Sequence, residues 1–248
     1  MTPRHGWAVC WLLCLGCHGV TPSDGETDAV RPIGFFEPSL AAQADPPRSH
    51  LSQAAAHLEK GEEIAASEHL AKYLADHPEH FEVRVHYAEL LLHQAKLTVA
   101  QQQFLLAIAA AQELGDKTLR LQVRCHSLLM EIADALDDDY ALHLHRGIGL
   151  YLLALERAKL PDGAGKLPVE GLLCRAAGEL AQARVERPAE AQPCWYLHLV
   201  WYTLGQQGPA AKWLERARAA APFSQLTCCE QRGLQLCVHA SQFPSFRP

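Results

Sequence analysis

The chain has 248 residues, a formal net charge of −6 and only 7% aromatic residues. Alanine and leucine dominate its composition, which favours a helical protein over a β-rich one. The negative charge argues against a nucleic-acid partner, because binding to phosphates requires basic stripes. The longest near-apolar run, Trp7 to Gly16, is shorter than the roughly 18 residues that a membrane span needs.

Residues 1–17 have the order of an export signal. A charged start with Arg4 precedes the apolar run, and the small residue Gly16 stands before Cys17. This junction resembles the end of a lipoprotein signal, in which the cysteine is lipidated and becomes the new N-terminus, although Cys14 stands where leucine is usual. The resemblance implies export to the periplasm or cell envelope, with a lipid on Cys17 as the attachment to a membrane. A leader that is cleaved without lipidation is the alternative.

The stretch from Cys14 to His18 also matches C-x-x-C-H, the attachment pattern of c-type haem. In that chemistry both thiols bond to haem vinyl groups, and the histidine is an axial ligand of the iron. Cleavage of the leader would remove Cys14, so we expect no haem. A haem-bearing exported protein is kept as the alternative function.

Residues 18–46 are expected to form a disordered linker, because prolines interrupt the segment and no helical apolar spacing is sustained. A helical repeat domain is expected over 47–240, followed by a frayed tail over 241–248. Its predicted helices cover 49–60, 62–76, 79–94, 97–114, 117–136, 140–159, 169–186, 192–204, 209–221 and 224–240. The last of these is expected to cover the apolar end of the array.

Two segments between predicted helices contain residues that invite a functional reading. The three aspartates Asp137–Asp139 lack the spacing of a calcium loop, so we expect a solvated turn that leads into a helix N-terminus. The segment 160–168 is rich in proline and glycine but has no P-loop spacing, so we expect an inserted turn.

A period of 34 residues relates small residues along the chain. Gly171, Ala176, Leu180, Ala183 and Pro188 are followed 34 residues later by Gly205, Ala210, Leu214, Ala217 and Pro222, and Ala54, Ala66 and Leu70 by Ala88, Ala100 and Phe104. The pattern resembles the tetratricopeptide repeat (TPR), in which small residues let paired helices approach and a larger residue fills the gap. Tyr73 and Gln112 depart from it, since a small residue and a proline are expected there. The phase slips after the second of these units, so the array is expected to be regular at both ends and interrupted in the middle.

The resemblance implies an all-α, right-handed solenoid of stacked antiparallel helix pairs that is irregular in the middle. It also implies a concave groove that binds a protein or peptide partner. The inner-face positions of the family fall on Glu82, Val85, Glu89, Leu92, His93, Arg146, Leu150, Leu153, Gln192, Trp195, Leu199 and Tyr202. Trp195 and Tyr202 are the expected aromatic anchors, with packing between helices as the alternative for both. Trp201 is expected in the core.

No sequence motif for catalysis or metal binding emerges, since the chain lacks H-E-x-x-H, G-x-S-x-G and nucleotide-binding glycine patterns. The pairs His77/His80 and His143/His145 lack the further ligands of a zinc set, so no metal site and no cofactor is expected. The six cysteines beyond the leader are expected to be small buried residues, with disulfides as the alternative. We therefore expect a scaffold and not an enzyme; a catalytic site would require a pocket of clustered titratable groups.

Overall fold

The computed structural model describes residues 49–159 and 168–242, and the side chains of 238–242 lie outside that description. All described helices belong to the unit Asp45–Pro248. In chain order they are α1 (His50–Glu59), α2 (Glu63–Asp76), α3 (Phe81–His93), α4 (Leu97–Glu113), α5 (Leu119–Ala135), α6 (Asp139–Ala158), α7 (Val169–Glu186), α8 (Ala191–Thr203), α9 (Gln207–Ala220) and α10 (Cys228–Gln242). No strand occurs in these residues, and none of their helices is long and apolar enough to cross a membrane.

Neighbouring helices pack as antiparallel pairs, α1 with α2, α3 with α4, α6 with α7 and α8 with α9. The expected fold class, an all-α solenoid that is irregular in the middle, is confirmed. The irregularity is α5, which packs on α6 and also on α4 and therefore stands between two complete pairs. An odd helix of this kind reverses which member of a pair faces a given side of the array.

The positions that share the 34-residue period are the close contacts between helices. Ala66, Ala88, Ala100, Ala176, Ala183 and Ala217 are fully buried, and Phe104 and Leu180 are buried beside them. Gly171 and Gly205 are 34 residues apart but do not occupy equivalent structural positions. Gly171 lies inside α7, whereas Gly205 lies in the turn after α8. Three apolar clusters result: one within α1–α3, one within α3–α5 and the largest within α5–α10.

Two non-glycine residues in the turns of the described segments adopt left-handed backbone conformations. Gly205 ends α8 with φ 73°, as the sequence indicates, but Ala95 has φ 57° and Asp137 has φ 54°. A left-handed conformation costs a non-glycine residue roughly 1–2 kcal/mol. The next residue, Asp138, offsets part of the cost at Asp137 by capping α6. Its Oδ1 accepts a hydrogen bond from the Ala141 N–H at 3.0 Å. The expected aspartate turn before a helix N-terminus is confirmed.

Several boundaries differ from the predicted ones. The helix predicted from 117 begins at Leu119, because Gly115–Thr118 forms a 3-10 turn. The helix predicted from 224 begins at Cys228, because Ala221–Phe223 is a second 3-10 turn. The segments 1–48, 160–167 and 243–248 lie outside the described residues, and with them the export signal, the C-x-x-C-H match, the linker and most of the inserted turn and tail.

The cysteine prediction is correct for only part of the set. Cys125 and Cys194 are buried, whereas Cys174 and Cys228 are exposed on helix surfaces, so burial is not general. All six cysteines in the described residues are free thiols.

The approach of α6 to α7 depends on a missing side chain at Gly147. A Cβ built there would lie 2.6 Å from Leu180 Cγ and 3.2 Å from the Leu180 backbone nitrogen. We expect Gly147→Ala to lower the free energy of unfolding by about 1–3 kcal/mol, because the two helices must separate. The measurement is urea denaturation followed by circular dichroism.

The matched control for this substitution is Gly178→Ala on α7, where an added Cβ would meet nothing within 4 Å. Removing a flexible glycine from an exposed helical position should raise the free energy of unfolding by about 0.5–1 kcal/mol. Equal effects of the two substitutions would contradict the close packing of α6 on α7.

Candidate functional site

The C-terminal segment reaches back across the array to α4. Gln112 at the end of α4 donates from Nε2 to the Tyr196 hydroxyl on α8 at 3.2 Å, and its Oε1 accepts from the Thr227 hydroxyl at 2.8 Å. Next to it, Arg232 of α10 pairs with Glu113 at 2.9 Å. These contacts join segments about half the chain apart and bring α4, α8 and the start of α10 around one cavity.

This cavity, which we call the closure pocket, has a volume of about 520 Å³. It lies within the usual 300–1,000 Å³ range of ligand pockets. Its walls come from α4, α5, α6, the turn from α7 to α8, α8 itself and the segment before α10. The lining residues are Gln101, Leu105, Ile108, Gln112, His126, Asp138, Tyr140, Ala141, Leu144, His145, Arg187, Glu190, Gln192, Tyr196, Phe223, Gln225, Leu226 and Thr227.

A buried histidine pair lies in one wall of the closure pocket. His126 on α5 and His145 on α6 are 3% and 5% exposed, and their Nδ1 atoms are 3.2 Å apart. Burial, together with the neighbouring His145, holds the pKa of His126 well below its usual value, and burial lowers the pKa of His145 to about 4. Both rings are therefore neutral at pH 7, with one Nδ1 donating to the other. His126 Nε2 is buried and has no hydrogen-bond partner within the described residues.

Another part of the pocket wall is held by a carboxylate and a guanidinium. Arg187 donates from Nη2 to both Asp138 oxygens, at 3.1 and 3.0 Å, and its Cζ lies 4.3 Å from the centre of the Tyr140 ring. Asp138 also starts α6, so one residue fixes both the helix and the arginine. Burial raises the pKa of Tyr140 far above its usual value, so its hydroxyl stays protonated.

Two lining residues, Gln192 and Thr227, are bonded to Glu230 of α10, which is only 2% exposed and does not itself line the pocket. Its Oε1 accepts from Gln192 at 2.9 Å, and its Oε2 accepts from the Thr227 N–H at 2.8 Å, while Thr227 Oγ1 accepts from the Glu230 N–H at 3.3 Å. Burial raises the pKa of Glu230, and these hydrogen bonds oppose the shift. The reciprocal bonds form a capping box, T-x-x-E, which the sequence prediction missed although Thr227 and Glu230 have its spacing.

A second, smaller cavity of about 410 Å³ lies on the other side of Phe223, which lines both. It is cationic because Arg184 and Arg216 line it. Their guanidinium groups lie over the Trp213 ring, 5.4 and 4.5 Å from its centre. Phe223 itself is 84% exposed between the two cavities. A ligand that crosses Phe223 would therefore meet an apolar and polar cavity on one side and positive charge on the other.

Most of the groove residues expected from the sequence lie elsewhere. Of the twelve, only Gln192 lines the closure pocket. Val85 is buried at 2%, and Glu82 and His93 are exposed on α3. Leu92, Leu150, Leu153 and Leu199 are partly buried against the apolar clusters. Glu89 and Arg146 are held in ion pairs with neighbouring helices, Glu89 with Arg124 at 2.7 Å and Arg146 with Glu179 at 3.6 Å.

The two expected aromatic anchors differ in exposure. Tyr202 is 64% exposed, but Trp195 is only 6% exposed, because α10 covers it. A Cβ at Gly233 of α10 would lie 2.7 Å from Trp195 Cζ2, so that glycine is what lets the last helix cover the indole. Trp201 is partly buried against the largest cluster.

Comparisons with known proteins leave the chain without an assigned family. No family model matches it, and no curated protein matches it. Among solved structures, a crystal structure of MamA protein is 13% identical, covering 69% of this chain and 89% of that one, with a TM-score of 0.34. Another, described as MamA MSR-1 C2, is 15% identical, covering 70% and 95%, also with a TM-score of 0.34. Because a superposition at this level does not demonstrate a common fold, the architecture rests on the helix pairs themselves, which are consistent with a TPR-like array.

The histidine pair predicts a pH dependence of stability. Both folded pKa values are lowered, so the unfolded chain binds protons that the folded chain excludes, and stability is complete above the ordinary histidine pKa of about 6.5. It is lost as pH falls from about 6.5 towards 4. Between pH 7.5 and 5, the lowered pKa of His145 alone accounts for a loss of roughly 2 kcal/mol. The lowered pKa of His126 adds to it, so urea denaturation should show wild type losing more than about 2 kcal/mol relative to a His126→Leu, His145→Leu double variant.

The control for this measurement is His86→Leu, since His86 is exposed on α3. It should keep the pH dependence of the wild type. If the double variant lost stability as steeply as wild type over the same pH range, the histidine pair would not be its source.

Proposed function

We propose that this chain is a non-enzymatic scaffold that binds a short segment of a partner protein in the closure pocket. The observation that carries the proposal is the mixture of side chains around one cavity of peptide-compatible size. Four glutamines, Gln101, Gln112, Gln192 and Gln225, line it together with Leu105, Ile108, Leu144 and Leu226. Gln112 and Gln192 are bonded within the protein, so the amides of Gln101 and Gln225 are the ones proposed to donate to and accept from a peptide backbone. The apolar side chains suit one buried side chain of the partner.

Two further features support a peptide as the occupant. His126 Nε2 is a buried polar atom of the wall without a partner in the described residues, and a bound segment would supply one. The cationic cavity beyond Phe223 would receive an acidic side chain of the same segment. The proposed partner segment therefore combines an apolar and an acidic residue.

Catalysis is the weaker reading of the same pocket, although it does contain titratable groups. Its two imidazoles are paired through their Nδ1 atoms, and Asp138 is paired with Arg187. The lining residues include no serine or cysteine, and the hydroxyl of the lining Thr227 donates to Gln112 and not to a base. The haem alternative lies on Cys14 to His18, outside the described residues, and gains no support.

Peptide binding is tested by substituting two leucines that have similar exposure but different positions relative to the pocket. Leu105 and Leu106 are adjacent on α4 and 44% and 47% exposed, but only Leu105 lines the closure pocket. Peptides are selected from a random display library on the full chain, and their affinities are measured by fluorescence anisotropy. Leu105→Asp should weaken binding by at least about tenfold, on the order of 1.4 kcal/mol.

In the same measurement Leu106→Asp should leave the affinity unchanged, because that side chain points away from the pocket lining. Peptides that lose affinity equally with both variants, or with neither, would place binding outside the closure pocket.

We also propose that the protein is exported and attached to a membrane through a lipid on Cys17. The support is the order of residues 1–17 alone. In the native envelope, the wild-type chain should fractionate with membranes, and Cys17→Ala should release it into the soluble fraction, since the anchor residue is lost. A Cys17→Ala chain that still fractionates with membranes would rule out an anchor there.

A further inference from the structure

We propose that the turn between α2 and α3 binds a divalent transition-metal ion, Zn²⁺ by its donor set, through His77, Glu79 and His80. Within the described residues these three form a group whose possible ligand atoms all lie within 4.8 Å of one another. Two imidazoles and one carboxylate are a recurring set of zinc ligands. The site does not involve the closure pocket and does not depend on the function proposed for it.

The distances between the ligand atoms match those of a coordination shell. Glu79 Oε1 lies 3.4 Å from His80 Nε2 and 3.7 Å from His77 Nδ1. Zinc bonds to nitrogen and oxygen are about 2.0–2.2 Å, which places neighbouring ligand atoms of a tetrahedral site about 3.4 Å apart. The two imidazole rings are stacked, with centres 5.2 Å apart and an interplanar angle of 11°. Because a metal lies in the plane of each imidazole that binds it, the His77 ring must rotate out of this stack to direct its Nδ1 at an ion held by Glu79 and His80, and its 47% exposure leaves room for that rotation.

The backbone holds the three ligands in a short, constrained turn. The His77 N–H donates to the Tyr73 carbonyl at 2.9 Å at the end of α2, and the His80 N–H donates to the His77 carbonyl at 3.2 Å. Pro78 lies between the histidines, and its ring fixes its φ angle. Arg84 of α3 donates from Nη2 to the Pro78 carbonyl at 2.7 Å. A ligand set on a turn that is already formed loses little conformational freedom when the metal binds.

Tyr73 supplies the outer contact that metal-bound histidines commonly have. Its hydroxyl lies 2.5 Å from His80 Nδ1. When Nδ1–H donates to that hydroxyl oxygen, the lone pair of Nε2 is left for the metal, and the ring orientation is fixed. Tyr73 is also the residue that occupies a place where the repeat pattern expects a small one. This contact gives the departure a physical reason.

All three ligand side chains are accessible, with exposures of 47%, 64% and 46% for His77, Glu79 and His80. Three protein ligands leave the fourth position of a tetrahedral ion open to water or to a donor from another molecule. Within α3, His86 Nδ1 and Glu89 Oε2 lie 3.4 Å apart. This pair has the same residue types but no third ligand within the described residues, and so provides a matched control.

The test is a titration of the full chain with Zn²⁺ by isothermal calorimetry, after the exposed thiols have been alkylated so that cysteines do not compete. We expect one ion per chain. His77→Asn, Glu79→Gln and His80→Asn should each raise the dissociation constant at least tenfold, and His86→Asn should leave it unchanged. Far-UV circular dichroism confirms that each variant folds, since the substituted side chains are exposed.

The proposal is overturned if the wild-type chain binds no Zn²⁺ at an ion concentration of about 1 mM, because the dissociation constant would then exceed that of a weak site. It is also overturned if His77→Asn and His80→Asn bind as tightly as wild type, or if His86→Asn weakens binding as much as they do. Tyr73→Phe keeps the ring and removes the hydroxyl, and it should raise the dissociation constant about tenfold. An unchanged constant in that variant would remove the positioning role of Tyr73.

Discussion

The side-chain amide of Gln112 is the contact that joins the C-terminal half of the array to α4. It bonds at the same time to Tyr196 on α8 and to Thr227 just before α10. A helical array without such a bond has contacts only between neighbours along the chain. Here one amide joins α4 to elements 84 and 115 residues away, and the closure pocket exists because these elements meet. The ion pair of Arg232 with Glu113 lies on the exposed side of the same junction and adds little by itself.

The middle of the array determines which side chains line the closure pocket. In a regular array of pairs, the first helix of every unit faces the same side. Because α5 packs on α6, which also packs on α7, three helices stand where a regular array has two, and the second helix of one pair (α4) meets α6 and α8 around the pocket. This is why Gln101 and Leu105 of α4 line the cavity, while the α3 residues expected there do not.

Much of the fold could be predicted from residues that act locally. Small residues such as Ala66 and Ala100 recur at a fixed period because a helix contact has no room for more, and Gly205 marks a turn that requires a positive φ. The site could not be predicted in the same way. Trp195 was expected at a surface, and its burial depends on α10, whose docking requires the absence of a side chain at Gly233. Pairing of His126 with His145 depends on the position of α5, which no period in the sequence fixes. Departures from the repeat pattern indicated the proposed sites better than the pattern itself did. Gln112 and Tyr73 both depart from it, and their side chains bond to Thr227 and His80.

The junction between α4 and the C-terminal segment also limits how this architecture can change in length. An open solenoid gains or loses a helix pair without harm to the others, because each pair meets only its neighbours. In this chain, inserting or deleting one pair between α4 and α8 would rotate and shift Tyr196 and Thr227 relative to Gln112 and break both bonds at once. The number of helices between these points is therefore fixed by geometry, and variation in length is confined to the segments outside them, before α4 and beyond α10.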